Sequence, residues 1–301
     1  MDFSHLPYFG ESLSLLTAVV WAFAVILFKK SGEKVHPIGL NLFKDTFGMI
    51  LFIPTLWFFG EEIFRPASFN DYFLIIISGV LGIGIADTLF FQCLNHLGAG
   101  LTAIIDCFYS PFIIGLSILW LGESLTVFQI IGVVLIISAI LAATYRKHAQ
   151  DVTRHHLIVG ITYGILSMAF MAVGIVMIKP ILDSSPLLWV TEIRLIGGVA
   201  ILWLILVFHP ARKKIITSIF SRQKWIYTVS GSFVGAYLSL VLWLGGMKFT
   251  QASTSAALNQ TNNIFIFIFA AIFLKEKITW QRTVGIILAV SGTLLVTFGK
   301  I

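Results

Sequence analysis

Runs of about 20 apolar residues, the length a helix needs to cross a bilayer, recur along the whole chain with short polar breaks between them. They stand at roughly 12–28, 38–59, 72–94, 99–120, 127–145, 157–179, 187–208, 225–247, 252–274 and 280–298. Each run is continuous and lacks the alternation of a β-barrel strand, so each predicts a helix. The longest link, "HPARKKIITSIFSRQK", has sixteen residues, leaving no room for a soluble domain between the runs. The predicted fold is an all-α polytopic membrane protein with ten transmembrane helices.

Composition agrees: 58% of residues are hydrophobic, 11% are charged, and the mean hydropathy is +0.96, whereas a soluble domain carries about a quarter charged residues. No basic residue precedes the first run, and Lys29 and Lys30 follow it at once, so it reads as a retained span and not as a cleaved signal. Cys93 and Cys107 lie within spans and offer neither a disulfide framework nor a metal spacing. The histidines sit in links or at span ends. No metal and no cofactor is expected. The net charge of +6 comes from basic residues bordering the spans, which suits lipid headgroups and leaves nucleic acid out.

Ten spans place both termini on one side of the membrane. That side holds Arg65, Lys179, Lys248 and Lys300, and the other side holds fourteen basic residues. Lys and Arg are retained in the cytoplasm during insertion, so this bias predicts termini outside. The expected location is the cell membrane, the inner or plasma membrane of a prokaryote.

The chain also repeats itself. A shift of 153 residues lays "LGESLTVFQIIGVVLIISAILAATY" over "LKEKITWQRTVGIILAVSGTLLVTF", matching Glu123 with Glu276, Gly132 with Gly285 and Ser138 with Ser291. It also pairs Gly82 with Gly235 and Asp106 with Asn259, and a shift of 149 pairs Pro37 with Pro186 and Gly48 with Gly197. Two five-span copies are predicted, 1–148 and 149–301. Because five is odd, the second copy starts on the opposite face, so the copies are inverted, a plan typical of alternating-access transporters.

These features resemble the EamA family of the drug/metabolite transporter superfamily. The Gly-Glu turn and following span in both quoted segments carry the resemblance, as does "SPFIIGLSILWLGE" with Pro111 in the fourth span. The second copy departs in having Ile264 where that proline would fall. The resemblance implies a secondary transporter of small organic molecules, a central cavity between spans one to four and six to nine, and peripheral spans five and ten. It also implies cytoplasmic termini, against the charge bias. Independently, spans five and ten carry no acidic residue and suit a lipid-facing position. Ser78 with Gly82, and Gly231 with Gly235, are spaced to let backbones approach closely.

Lys44, Asp45, Asp87, Asp106, Glu192 and Arg194 are the ionisable residues deep in the spans. Such groups are expensive in hydrocarbon, so they face the bundle interior, pair with one another or mark a pathway. Lys44, Asp45, Asp87 and Asp106 approach from the predicted cytoplasmic side. Glu192, Arg194 and the amides Asn259, Gln260, Asn262 and Asn263 approach from the other. Together with Tyr109, all of these except Asn262 are the candidate substrate-binding or coupling residues. A structural ion pair between Lys44 and Asp87 or Asp106 is the competing reading. Glu123 and Glu276, before turns, read as helix caps, and Trp21, Trp189, Tyr237 and Trp243 as core or interface residues.

The function these features predict is export or uptake of a small organic metabolite or drug by alternating access, with proton coupling through Asp87 or Asp106. No enzymatic activity is expected. A channel or membrane scaffold is the alternative. An intramembrane aspartyl protease is disfavoured, since "GIGIAD" puts Asp87 two residues late for the Gly-x-Gly-Asp arrangement that chemistry uses. The expected partners are a small-molecule substrate and membrane lipid, with assembly as a homodimer left open.

Overall fold

The computed structural model describes residues 8–121, 126–144, 154–220, 224–249, 255 and 258–298. Every regular element among these residues is helical. In chain order they are α1 (Phe9–Gly32), α2 (Pro37–Phe59), α3 (Phe69–Leu97), α4 (Ala99–Asp106), α5 (Tyr109–Leu121), α6 (Val127–Thr144) and α7 (Arg154–Val176). There follow α8 (Lys179–Ser184), α9 (Leu187–Phe208), α10 (Arg212–Ile219), α11 (Trp225–Phe249), α12 (Asn262–Phe273) and α13 (Trp280–Phe298). Six of them, α1, α2, α3, α7, α9 and α11, are long and apolar enough to cross a membrane by length and composition.

Two irregularities shape the interior, and each occurs twice. The first is a π-helical turn, Val80–Ala86 in α3 and, 153 residues later, Phe233–Ser239 in α11. A π turn widens the helix and frees backbone carbonyls. In α3 the Asn41 amide donates to the carbonyls of Ile83 (2.8 Å) and Gly84 (3.3 Å), and Thr88 and Ser167 donate to those of Gly84 and Ala86 (2.7 Å each). Side chains thus satisfy groups that lipid could not.

The second irregularity corrects the expectation of unbroken spans at 99–120 and 252–274. Cys107 and Phe108 separate α4 from α5, and Gln260 and Thr261 break the chain before α12. Pro111 accounts for the first break: it has no N–H for the Cys107 carbonyl, and its ring crowds that oxygen. At the second, Ile264 could continue a helix, yet its N–H and that of Asn263 bond only three residues back, to Thr261 (3.1 Å) and Gln260 (3.2 Å). Polar side chains hold that turn, with Thr261 Oγ1 donating to the Leu258 carbonyl (2.6 Å) and Asn263 lying 2.7 Å from Gln260 Oε1.

The two halves interlock. α1 packs along α11 and α12, and α7 packs along α3 and α5. α2 meets α9, whose Gly197 faces the Ile76 backbone of α3, while Gly48 of α2 faces the Ala236 backbone of α11. Of the small pairs singled out above, Ser78 and Gly82 do meet a backbone, at Gly174, where Ser78 donates to the carbonyl (2.5 Å). Gly231 and Gly235 instead seat the Phe28 ring. Outside this assembly α6 and α13 pair with each other, with Gly292 against the Gly132 backbone, and present Val127, Phe128, Val134 and Ile287 outward. An apolar exterior of this kind suits lipid. In the longest link, α10 exposes Arg212, Lys213 and Lys214 and buries Ile215 and Ile219 against Gly39 of α2.

Candidate functional site: a charged cavity between the halves

A cavity of about 140 Å³ lies where α1, α2, α3, α4, α5, α7, α9, α11 and residues 259–262 converge. Among the described residues, none from α6 or α13 lines it. Ile83 and Gly235, Ala236 and Ser239 bring both π turns to its wall, and Asp106, Tyr109, Asn259 and Gln260 bring both helix breaks. The departures from regular helix therefore gather at one place, where polar side chains face a shared space.

Lys44 anchors one side. Its Nζ donates to Asp45 Oδ1 at 2.5 Å and to Asp87 Oδ2 at 2.7 Å, and the ammonium lies 5.9 Å from the centre of the Phe91 ring. Adjacent positions on a helix point apart, so at least one of Lys44 and Asp45 is expected to reach another helix. Both are buried, and the flexible lysine stem curls back to its neighbour while also reaching Asp87 of α3. The cation is saturated by two carboxylates, and Asp106 is not one of its partners.

Asp106 ends α4 at the first break and meets amides instead. Asn262 and Asn263 of α12 donate to its carboxylate, and with the Asn263 amide turned to the orientation that satisfies its neighbours its nitrogen lies 3.2 Å from Asp106 Oδ2 and 3.0 Å from the Ala103 carbonyl. The two polar sets expected to lie apart thus touch, joined from Asp106 to the α12 asparagines. Asn263 stands behind the wall as a support, whereas Asn259, Gln260 and Asn262 line the cavity. Asn259 reaches Ser255 Oγ (3.5 Å), and its Oδ1 has no partner among the described residues.

Arg194 enters from α9, buried to 1% exposure, with Nε, Nη1 and Nη2 all lacking a hydrogen-bond partner among the described residues. Its guanidinium carbon lies 5.7 Å from the Trp243 ring centre, close enough for a cation–π contact. The Tyr109 hydroxyl, also buried and lining the cavity, is likewise unpartnered. Glu192, two residues from Arg194, is buried elsewhere and does not line the cavity.

Sequence reasoning missed much of the apolar wall. Trp21 and Trp243, read as core or interface residues, line the cavity beside Met168, Met171 and Phe90. A Trp in a span carries no mark of which way it faces. The capping role expected of Glu276 is observed on another helix: it accepts from the backbone N–H groups of Ala99 (2.8 Å) and Gly100 (3.2 Å) at the start of α4. Glu123 lies outside the described residues. Beyond the spans, Glu61 accepts from Trp189 N–H (3.2 Å) near the start of α9, and burial raises its pKa. His36 caps α2, and burial, His209 and Lys214 together lower its pKa.

Long apolar helices around a buried, charged cavity define a multi-pass membrane protein. The chain belongs to the EamA-like transporter family, whose model matches residues 8–145 and again 158–298. It is similar to a protein named "Uncharacterized transporter" from Archaeoglobus fulgidus, 25% identical over 94% of this chain and 96% of that one. It is also similar to the Bacillus subtilis protein named "Uncharacterized transporter YvbV", 27% identical over 74% of this chain and 71% of its relative. A solved crystal structure shares the fold with a TM-score of 0.65 at 14% identity, covering 93% of this chain and 96% of the other. Members of the family are transporters and not enzymes, so the chain is a membrane transporter, with a small-molecule substrate and a lipid environment.

Proposed function

We propose that this transporter carries a small organic solute through the central cavity by alternating access, in a ten-span fold made of two inverted copies. The observation that carries the reading is the recurrence of both irregularities at a spacing of 153 residues, with all four meeting at the cavity. Two further features support it: the family model matches the chain twice, and Gly48 and Gly197, one in each half, make corresponding contacts with α11 and α3. α4 with α5, α6, α12 and α13 would supply the four crossings beyond the six long apolar helices. The predicted cytoplasmic face is a single surface, since Lys224 pairs with Glu33 (2.7 Å) and Lys30 and Lys224 both lie over the Tyr227 ring.

Proton coupling falls to Asp106. Asp87 is held by Lys44, whereas Asp106 has only neutral amide partners and can change protonation without stranding a buried cation. Asp87 bonds Lys44 and Asp106 bonds the α12 asparagines, an arrangement that does not favour an aspartyl-protease pair. Purified protein in proteoliposomes, offered labelled metabolites under an imposed pH gradient, tests the reading. Saturable flux driven by the gradient is expected, with the drive lost in Asp106→Asn. Flux that never saturates would indicate a channel, and gradient-driven flux surviving in Asp106→Asn would remove that residue from coupling.

A further inference from the structure

Among the described cavity residues Arg194 is the cation without a counter-ion. Its five N–H donors have no acceptor there, although an unpaired buried charge costs several kcal/mol. The acids within reach are already engaged. Asp87, the carboxylate whose field acts on Arg194, is bonded to Lys44, as is Asp45, and Asp106 is held by two asparagines. The Tyr109 hydroxyl supplies a further unused donor in the same cavity.

We propose that Arg194 and Tyr109 form an anion subsite, and that the transported solute is a small organic carboxylate with an apolar body. This deepens the transport reading and rests on it. A guanidinium presents a planar fork that matches a carboxylate with two parallel N–H···O bonds. The Trp243 ring, 5.7 Å from the guanidinium carbon, makes a cation–π contact and leaves all three nitrogens without a hydrogen-bond partner among the described residues. A phosphate would bring up to two negative charges, and the other cation lining the cavity, Lys44, is spent on two carboxylates. The remainder of the solute meets Trp21, Ile83, Phe90, Met168 and Leu240. A volume of about 140 Å³ compares with the cavity of about 150 Å³ that accepts benzene, so a single ring or a short branched chain fits. Asp45, Asp87 and Asp106 all oppose a second anion nearby. Solute binding therefore favours protonation of Asp106, the one of the three without a cationic partner, which ties anion binding to proton uptake.

The test uses the purified full-length protein in nanodiscs, with tryptophan fluorescence as the readout and benzoate, benzamide and benzylamine as probes of one shape and three charges. At pH 7, benzoate is expected to bind at least about tenfold more tightly than benzamide, as a charge-assisted bidentate pair implies, with benzylamine weakest. In Arg194→Gln the preference for benzoate over benzamide disappears. Arg194→Lys restores part of it, and Tyr109→Phe reduces it about threefold, the effect of one neutral donor. Benzamide or benzylamine binding as tightly as benzoate to the wild-type protein overturns the proposal without needing any variant to fold. So does a benzoate preference that survives in a folded Arg194→Gln. The two readings separate cleanly: benzoate selectivity with no solute flux in proteoliposomes sinks transport and keeps the subsite, whereas saturable flux with no charge preference does the reverse.

Discussion

Lys44 and Arg194 are both buried cations at the wall of one cavity, yet their surroundings differ. Lys44 is enclosed by two carboxylates within 2.7 Å, while Arg194 has a tryptophan face and open space. A saturated cation holds helices together, here α2 to α3. An unsaturated one is tolerated only where something outside the chain completes it, and so the residue that contributes least to stability is the better guide to function.

Breaking the saturated side should give the largest effect. Lys44→Met strands Asp45 and Asp87 in a buried site and is expected to cost about 3–5 kcal/mol, read as a steep fall in the thermal unfolding temperature and in the yield of folded protein. Replacing all three by neutral residues of similar volume should recover most of that loss, and failure to recover would show that Lys44 acts through something other than the pair.

The packing that aims Arg194 comes next. A Cβ at Gly197, three residues along the same helix, would stand 2.5 Å from the Ile76 carbonyl oxygen. Gly197→Ala should therefore push α9 from α3, cost about 1–3 kcal/mol, and weaken benzoate binding by displacing the guanidinium. Unchanged unfolding and unchanged binding would mean the helices separate without strain.

Arg194→Met is the direct counterpart of Lys44→Met, with the opposite sign expected for stability. Removing a charge that has no partner should leave the protein as stable or raise its stability by about 1 kcal/mol, while flux falls to background. A marked loss of folded protein instead would reveal a hidden internal partner.

The smallest effect lies outside the spans. His36 is half-buried and has a pKa below its ordinary 6.5, so the folded protein favours the neutral ring. The sign follows: as the pH falls below 6.5 the unfolded chain takes up the proton more readily, and the contact of α2 with α10 weakens toward acid. The change should stay under about 1 kcal/mol, given the exposure of the ring. Unfolding of the wild-type protein compared with His36→Asn between pH 7.5 and 5.5 measures it, and a wild type that gained stability over the variant toward acid would reverse the sign.

Hydrophobic runs were enough to identify the long spans, because a helix in lipid must satisfy its own backbone and so needs uninterrupted apolar length. The deep ionisable residues were equally legible, since charge in such a run has no other explanation than an interior partner or pathway. The repeat could be read as matched residues, including Asp106 with Asn259, and eight of the ten candidate site residues line the cavity.

What only the packed structure decided was who meets whom. Asn41 drew no notice until the π turn in α3 presented carbonyls for it to hold. Lys44 chose its own neighbour and Asp87 over Asp106, and Glu192 turned from the cavity that Arg194 lines, because partner choice depends on helix rotation and on side-chain reach across gaps of a few ångströms. The second break forms without proline: the Asn263 and Ile264 N–H groups bond three residues back, and the Thr261, Gln260 and Asn263 side chains hold the turn, a local arrangement that a reading of apolar runs passes over. The empty donors of Arg194 belong to the same class. A sequence lists an arginine, and only three-dimensional placement shows that the acids around it are already taken.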